Sequence, residues 1–282
     1  MERIQAAIEK ARARRDGETP PSTHSVPDSA PATFRHRSSE ARNEVVGAWQ
    51  DIPVFTPNAK HLVRNRILTF SGGAEATPFD MMRTRVLQQM QANGWRRLAI
   101  TSPSGANGKT TIAANLAFGM ARQQNQRVGL IELDMRRPAL AQTIGLNERG
   151  LQFSRVLEGE TSYSAQMRRV GGNLAIGVGR KPVMRSTELL RSETATLALK
   201  TIETELDLSL MLFDMPPMLL SDDMQAFAGE VDCALVVAGA EQTTVADIDR
   251  CERDLAAQTN VLGVVLNKCR YTEEKYSYGY GY

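Results

Sequence analysis

Short apolar runs recur through the middle of the chain, at Arg97–Thr101, Val128–Glu132, Leu174–Val178, Leu210–Phe213, Ala234–Ala238 and Val261–Leu266. The runs are continuous and do not alternate apolar with polar residues, as a strand buried on both faces requires. Between them lie stretches with helical spacing. In Thr110–Gln124, Ile112, Leu116 and Met120 repeat every four residues and predict a helix with one apolar face. Strands bounded by helices of this length predict an α/β fold, a mostly parallel sheet with helices on both faces.

The pattern fades at both ends, which divides the chain into an extension (1–50), a globular domain (51–270) and a tail (271–282). In the extension, Ile4, Ala7, Ile8 and Ala11 share one face of a short helix whose far end, Lys10–Arg15, is basic. Pro20, Pro21, Pro27 and Pro31 follow among Ser, Thr and Ala, a composition too poor in apolar surface to fold. Two readings stay open: a solvated flexible extension, or a basic helix that docks on a partner or an anionic membrane. The tail reads YTEEKYSYGYGY and carries Tyr271, Tyr276, Tyr278, Tyr280 and Tyr282, five of the six tyrosines in the chain. Its composition predicts disorder, with exposed phenols that make a ready substrate and a poor structural element.

Composition narrows the chemistry. Hydrophobic residues make up 42% of the 282, enough for a sizeable core, and 34 Lys+Arg against 32 Asp+Glu leave a formal charge of +2. So small an imbalance gives no overall attraction to nucleic acid, and none is expected as a partner. Cys233, Cys251 and Cys269 stand 18 apart with no CxxC pair, which fits neither a disulfide framework nor a zinc site and suggests a reducing cytosol. His24, His36 and His61 all precede the strand pattern, so a histidine triad or histidine–metal site in the main domain is not expected.

The strongest local signal is Thr101-Ser-Pro-Ser-Gly-Ala-Asn-Gly-Lys-Thr-Thr111, between an apolar strand and a helix. A small-residue loop opening onto a helix N-terminus offers converging N–H groups to a phosphate. Ser104, Gly105, Ala106, Asn107, Gly108 and Thr111 would form the cradle, Lys109 would reach the β- and γ-phosphates, and Thr110 would ligate Mg²⁺. Pro103 stands where the strict pattern has glycine. Two later segments strengthen the reading. Glu132-Leu-Asp134-Met-Arg136 follows a buried strand, and Leu210-Met-Leu-Phe-Asp214-Met-Pro-Pro217 ends another in a carboxylate, where open α/β sheets bind ligands. Together they point to a P-loop nucleotide hydrolase or transferase.

These three segments resemble the nucleotide motifs of the bacterial protein-tyrosine kinases (BY-kinases) of capsule and exopolysaccharide assembly. The likeness extends to Glu188-Leu-Leu190, to Val231-Asp232 before a strand, to Val261–Lys268 and to the terminal tyrosine cluster. It covers residues 78–282. The resemblance implies ATP and Mg²⁺ as cofactors, with Thr110 and Asp214 on the metal and Asp134 supporting its water shell. Glu132 or Asp134 would accept the phenol proton, and Arg136 would serve the nucleotide site by orienting the carboxylates, contact a neighbouring subunit, or form a surface ion pair. Asn267 would read the adenine or merely cap a strand, and the five tail tyrosines would be phosphorylated. It further implies autophosphorylation regulating polysaccharide polymerisation and export, ring-like homo-oligomers, a cognate phosphatase, and a separate membrane polysaccharide co-polymerase as activator. The protein would be cytoplasmic, held peripherally at the inner membrane face by that partner.

The chain departs from the family at Glu132, where the family has Asp, and at Asp80-Met-Met-Arg83-Thr-Arg85, which only approximates the Glu-x-x-Arg-x-x-Arg ring-packing segment. Two alternatives carry the same motifs: a partition- or septum-positioning ATPase switch, and an ATP-binding scaffold without kinase activity. The switch proteins have a second lysine five residues before the P-loop lysine, where this chain has Ser104, and they lack a tyrosine tail.

Overall fold

Strands that are apolar at every position need cover on both sides, and the fold supplies it. A computed structural model describes residues 45, 47–123 and 126–270. The expected basic helix near the N-terminus and the tyrosine tail lie outside the described residues. Seven strands form one sheet: β1 (Arg97–Thr101), β2 (Val128–Glu132), β3 (Met167–Val170), β4 (Leu174–Gly177), β5 (Leu210–Asp214), β6 (Cys233–Gly239) and β7 (Asn260–Asn267). Their order is β3-β4-β2-β5-β1-β6-β7, and all pairings are parallel except β3 with β4. The chain is thus an α/β P-loop fold with a mostly parallel sheet and helices on both faces.

Side chains of successive strand residues leave opposite faces of a sheet. Leu98, Ile100, Leu130, Leu212 and Leu235 point into one core, while Ala99, Ile131, Phe213 and Val236 point into the other. Helices α1 (Thr77–Asn93) and α2 (Lys109–Ala121) cover the first face. Helices α3 (Glu193–Glu205) and α4 (Val245–Ala256) cover the second. Phe213 and Phe227 meet edge to face, with centroids 5.0 Å apart, beneath the end of β5. The predicted helix at Thr110–Gln124 runs from Lys109 to Ala121, and Ile112, Leu116 and Met120 are all buried in it.

Strand β3 was not anticipated. Its sequence, Met-Arg-Arg-Val, holds only two apolar residues, because an edge strand needs no apolar run. Residues 53–55 close that edge: Phe55 N donates to Arg169 O (2.8 Å) and Arg169 N to Pro53 O (2.9 Å). The chain enters the core before this point. Trp49 is buried, with the Arg127 guanidinium 5.3 Å from its ring centroid, so folded structure begins ahead of the expected boundary at residue 51.

The polar anchor of the P-loop helix is Asn115, fully buried on α2. Its Oδ1 accepts from Leu68 N (2.9 Å) and Thr69 N (3.3 Å), and its Nδ2 donates to Arg66 O (2.8 Å) and Thr111 O (2.9 Å). Asn115→Ala strands these groups without water. It is expected to lower stability by about 2–3 kcal/mol, read as a reduced urea midpoint at unchanged slope. A shift below about 0.5 kcal/mol would show that the segment 66–69 is not fastened through this side chain.

Candidate functional site

Strand order builds the site. β5 lies between β1 and β2, so Asp214 at its C-terminal end sits between the loop leaving β1 and the carboxylates leaving β2. In register, Asp214 pairs with Ile100 on one side and Glu132 on the other. Backbone bonds lock the three segments together. Leu133 N and Asp134 N donate to Asp214 O (2.8 and 2.9 Å), Met218 N donates to Ser102 O (2.8 Å), and Thr101 Oγ1 donates to Pro216 O (2.7 Å). The three motifs that sequence brought into one hypothesis are therefore adjacent in space.

The loop Ser102–Gly108 turns through two left-handed residues, Ala106 (φ 61°) and Gly108 (φ 88°), before α2 begins at Lys109. No side chain caps this helix, so its first N–H groups are left for an anion. Gly108 has a left-handed φ that favours glycine, and a Cβ there would push aside the Asn267 amide. Asn267 Nδ2 also donates to Asn107 O (2.9 Å), so this residue ties the end of β7 to the loop. Asn107 is buried, its Nδ2 donating to Thr243 Oγ1 (3.1 Å) and Val237 O (3.3 Å), and fastens the loop to the end of β6.

Three carboxylates face Lys109. Asp214 is fully buried, Glu132 is 2% exposed and Asp134 4% exposed. Lys109 Nζ lies 2.7 Å from Asp134 Oδ2. Burial opposes the ammonium, but Asp214, Asp134 and Glu132 together outweigh it and hold its pKa above the usual lysine value. Glu132 is pushed up to about 8, first by burial and then by Asp214, against three backbone donors. Those donors are Ala139 N (2.5 Å) and Leu140 N (2.7 Å) on Oε1, and Gly179 N (2.9 Å) on Oε2. Asp214 is pushed up to about 6 by burial, with Lys109 and the nearby Thr110 hydroxyl pulling it back. By geometry, neither Asp214 oxygen has a hydrogen-bond partner among the described residues, although the Thr110 hydroxyl is close by.

A buried carboxylate with both oxygens unsatisfied calls for a cation or ordered water. Beside a threonine hydroxyl and a loop of free N–H groups, the donor set fits a hydrated divalent cation bound together with a phosphate. Asp214 and Thr110 are the candidate ligands, with Asp134 within reach of the same water shell. Among the described residues, no three His, Cys, Asp or Glu side chains form a cluster able to hold a metal by themselves. A cation here would depend on the phosphate for the rest of its shell.

Arg136 points elsewhere. Its Nε donates to Asp223 Oδ2 (2.8 Å) and its Nη2 to Asp223 Oδ1 (3.2 Å) and Thr187 Oγ1 (3.1 Å), an ion pair with a buried partner within the chain. Asp223 is fully buried and also accepts from Ser186 Oγ (3.0 Å). Burial disfavours its charge, but Arg136, Thr187 and Ser186 more than offset this and hold its pKa below the usual carboxylate range. This latch joins the loop after β2 to the short helices Ser186–Leu190 and Asp223–Phe227. Sequence reasoning missed Asn107's anchoring, Asp223 and Ser186, since nothing local in sequence marks contacts across 87 or 130 residues. In α1, Asp80 accepts from Arg83 Nη1 (2.8 Å) and Arg122 Nη1 (3.2 Å) within the same chain.

With the site in view, comparison with known proteins is decisive for the family. A family model described as "ParA: NUBPL iron-transfer P-loop NTPase" matches residues 95–278. EpsB of Ralstonia nicotianae is 31% identical over 203 residues, which is 71% of this chain and 26% of EpsB. Tyrosine-protein kinase YwqD of Bacillus subtilis is 28% identical over 193 residues, 66% of this chain and 77% of YwqD. The chain belongs to the ParA-type P-loop NTPases, in their BY-kinase family. Against EpsB, the match spans about a quarter of the relative's length. The kinase domain of Escherichia coli tyrosine kinase ETK superposes with a TM-score of 0.63 at 24% identity, covering 74% of this chain and 82% of that domain, and shares its fold.

The carboxylate cluster makes a prediction about the protein without ligand. Asp214 has a folded pKa of about 6 against 3.8 ordinarily, so the folded state binds this proton more tightly than the unfolded chain. Stability then falls as pH rises from about 4 through 6, and the penalty is complete above that. Asp214→Asn is expected to raise the stability of the nucleotide-free protein at pH 7.5, by at most about 3 kcal/mol. The gain should vanish below pH 4, while Mg²⁺-dependent ATP binding weakens. Thermal unfolding across pH 4–8 tests it, and equal loss of stability at both extremes would contradict it.

Proposed function

We propose that this chain is an ATP-dependent protein-tyrosine kinase that phosphorylates its own tyrosine tail, with residues 51–270 as the kinase domain and 271–282 as substrate. One observation carries the reading: Lys109 is held 2.7 Å from Asp134 beside the partnerless, buried Asp214, in a chain whose last 12 residues hold five tyrosines. The loop N–H groups of residues 104–111 and Lys109 bind the phosphates. When phosphate arrives, Lys109 turns from Asp134 to the anion and frees Oδ2. Mg²⁺, held by Thr110 and Asp214, would supply charge neutralisation at the phosphates. Phosphoryl transfer consists mostly of positioning and charge stabilisation, so no covalent intermediate is needed.

The proton acceptor follows from the hydrogen bonds. Both oxygens of Glu132 are committed to backbone donors, and they brace the loop 137–140 and Gly179. Asp134 Oδ1 accepts from Arg137 N (3.1 Å), but Oδ2 is held only by the mobile charge of Lys109. Asp134 is therefore the base, taking the phenol proton once Lys109 has turned, and Glu132 positions the loop around it. Relatives named tyrosine-protein kinases support this reading. Regulation of exopolysaccharide or capsule assembly, a membrane co-polymerase as activator, a phosphatase as antagonist and a ring-like oligomer at the inner membrane face belong to the same proposal. No helix among the described residues is long and apolar enough to cross a membrane. Iron transfer is disfavoured by the donor set, since Cys233 and Cys251 are buried and no two cysteines lie close in sequence.

Lys109→Met is expected to abolish phosphotyrosine in the purified protein supplied with MgATP, detected by anti-phosphotyrosine antibody, while the unfolding midpoint shows a folded protein. Full phosphorylation by a folded variant would end the kinase reading. Asp134→Asn should cut the rate at least a hundredfold and spare ATP binding. Glu132→Gln keeps an acceptor for the braced loop and should cost less. The reverse order in single-turnover assays would make Glu132 the base.

A further inference from the structure

The strand that follows the carboxylates has a neighbour with its own chemistry. β4 lies beside β2, and the chain leaving it, Gly179–Arg185, runs along the carboxylate loop: Gly179 N donates to Glu132, and Val183 N to Met135 O (2.9 Å). Gln152 clamps the same stretch. Its Oε1 accepts from Arg180 N (2.9 Å) and Lys181 N (3.0 Å), and its Nε2 donates to Lys181 O (3.1 Å). A loop braced in this way presents its side chains from a fixed backbone. Met184 is 89% exposed, the Arg185 side chain is 86% exposed, and Lys181 is exposed with no ion-pair partner among the described residues. Arg185 has only a loose, solvated contact with Glu188 (3.7 Å), worth little in water. Arg180 is spent on the carbonyls of Leu146 and Glu148. The mouth of the site thus carries a weakly compensated cationic edge, with Lys181 and the loosely paired Arg185 beside an exposed thioether, and nothing in the proposed phosphoryl transfer uses it.

The occupant must be acidic and is favoured if aromatic, because a thioether packs well on rings. Segment 271–282 offers both: the acidic pair Glu273-Glu274, followed by the single Lys275, stands between Tyr271 and Tyr276. Spacing decides which copy supplies it. Neighbouring strands are about 4.8 Å apart, so the site at β5 lies about 14 Å from β7, and β4 about 24 Å. A chain spans at most about 3.3–3.6 Å per residue, so Tyr271, four residues beyond Asn267, reaches only about 14 Å when fully straight. Tyr276 of the same chain reaches the site comfortably, but it arrives from the β7 side. Glu273 and Glu274 then trail behind it, away from the basic loop. A tail entering from the β4 side reverses the order. With Tyr276 at the carboxylates, Glu274 and Glu273 fall two and three residues back, about 7–10 Å away. That is the one to two strand spacings, about 5–10 Å, that separate β2 and β5 from β4.

We infer that the loop Lys181–Arg185 is a docking surface for Glu273-Glu274 of a second copy's tail, and that it delivers the flanking tyrosines, Tyr276 foremost, to the neighbouring site. The inference rests on the kinase reading for its purpose but not for its test. A labelled peptide of residues 271–282 is titrated into the full chain and followed by fluorescence anisotropy. Lys181→Glu with Arg185→Glu should weaken binding at least fivefold and leave ATP affinity unchanged, and 0.5 M salt should mimic the variant. A peptide with Glu273→Lys and Glu274→Lys should restore binding to that variant. In the kinase assay, a Lys109→Met copy serves as substrate and a copy with its tail tyrosines changed to Phe serves as enzyme. Reversing the loop charges in the enzyme should raise KM for the substrate copy and reduce phosphate at Tyr276 more than at Tyr280 or Tyr282. Unchanged peptide affinity, or no rescue by the swapped peptide, would overturn the docking surface. So would loss of binding to anionic lipid vesicles alone, which would assign the loop to a membrane. Peptide binding that follows these rules with no phosphotyrosine from the wild-type pair would instead remove the kinase reading and leave the docking in place.

Discussion

Three buried carboxylates at the ends of two neighbouring strands would repel strongly, and one ammonium sits among them. Lys109 sits among Asp134, Asp214 and Glu132, and the burial that should expel its charge is overcome by theirs. Among the described residues, Asp214 remains without a hydrogen-bond partner. This ligand-free arrangement is electrostatically unfinished, and a phosphate with its cation would complete it: the anion draws Lys109 away and the cation satisfies Asp214. Stability is held below its maximum at the place where chemistry occurs, a common stability–function exchange. The surrounding fold answers with rigidity. Asn107 fastens the loop to β6, Asn115 fastens its helix to the segment 66–69, and the Arg136–Asp223 latch fastens the carboxylate segment to two short helices.

The central strands could be read from sequence because burial on both faces demands uninterrupted apolar residues, and β1 and β2 begin and end where the runs do. The P-loop and its two carboxylate segments were equally readable, since phosphate binding needs particular residues at short spacing. What escaped depends on distance along the chain. β3 pairs as an edge and needs little apolar character, and Trp49 joins the core from a stretch that looks like linker. Asn115 resembles any polar residue on a helix until Arg66–Thr69 fold over it. Arg136 illustrates the limit best. Its motif suggested a place near the nucleotide, but its partner lies 87 residues away and was invisible until the fold brought them together.

Membership of the ParA-type P-loop NTPases leaves function undecided, because the same scaffold serves unrelated activities. The family model's description names iron transfer, and relatives of similar length to this domain are named tyrosine-protein kinases. Local chemistry has to separate them. Iron handling calls for accessible paired thiolates, whereas Cys269 is exposed but single, and Cys233 and Cys251 are packed in the two cores with their thiol pKa values pushed up to about 12 and about 11, chiefly by burial. Such thiols are inert filling. A kinase calls for a carboxylate that can be released next to the phosphates and for phenols to receive the phosphoryl group; in the proposed reading Asp134, paired with Lys109, suits the first role, and the last 12 residues of the sequence carry five tyrosines for the second.

Glu132 shows how a departure from the family pattern is absorbed. Its additional methylene, relative to aspartate, extends the carboxylate toward Ala139 N and Leu140 N at the start of the short helix Leu140–Ile144, and across to Gly179 N after β4. Three donors on one carboxylate make it a brace between the loops after β2 and β4. A shorter side chain at this position would give up part of that brace and stand freer as a proton acceptor. Under the proposed kinase reading, the longer residue would shift the acid–base task toward Asp134, whose outer oxygen is held by Lys109. Binding of the nucleotide and exposure of the base would then become one event, so that the phenol would meet a competent carboxylate only after the phosphoryl donor is in place.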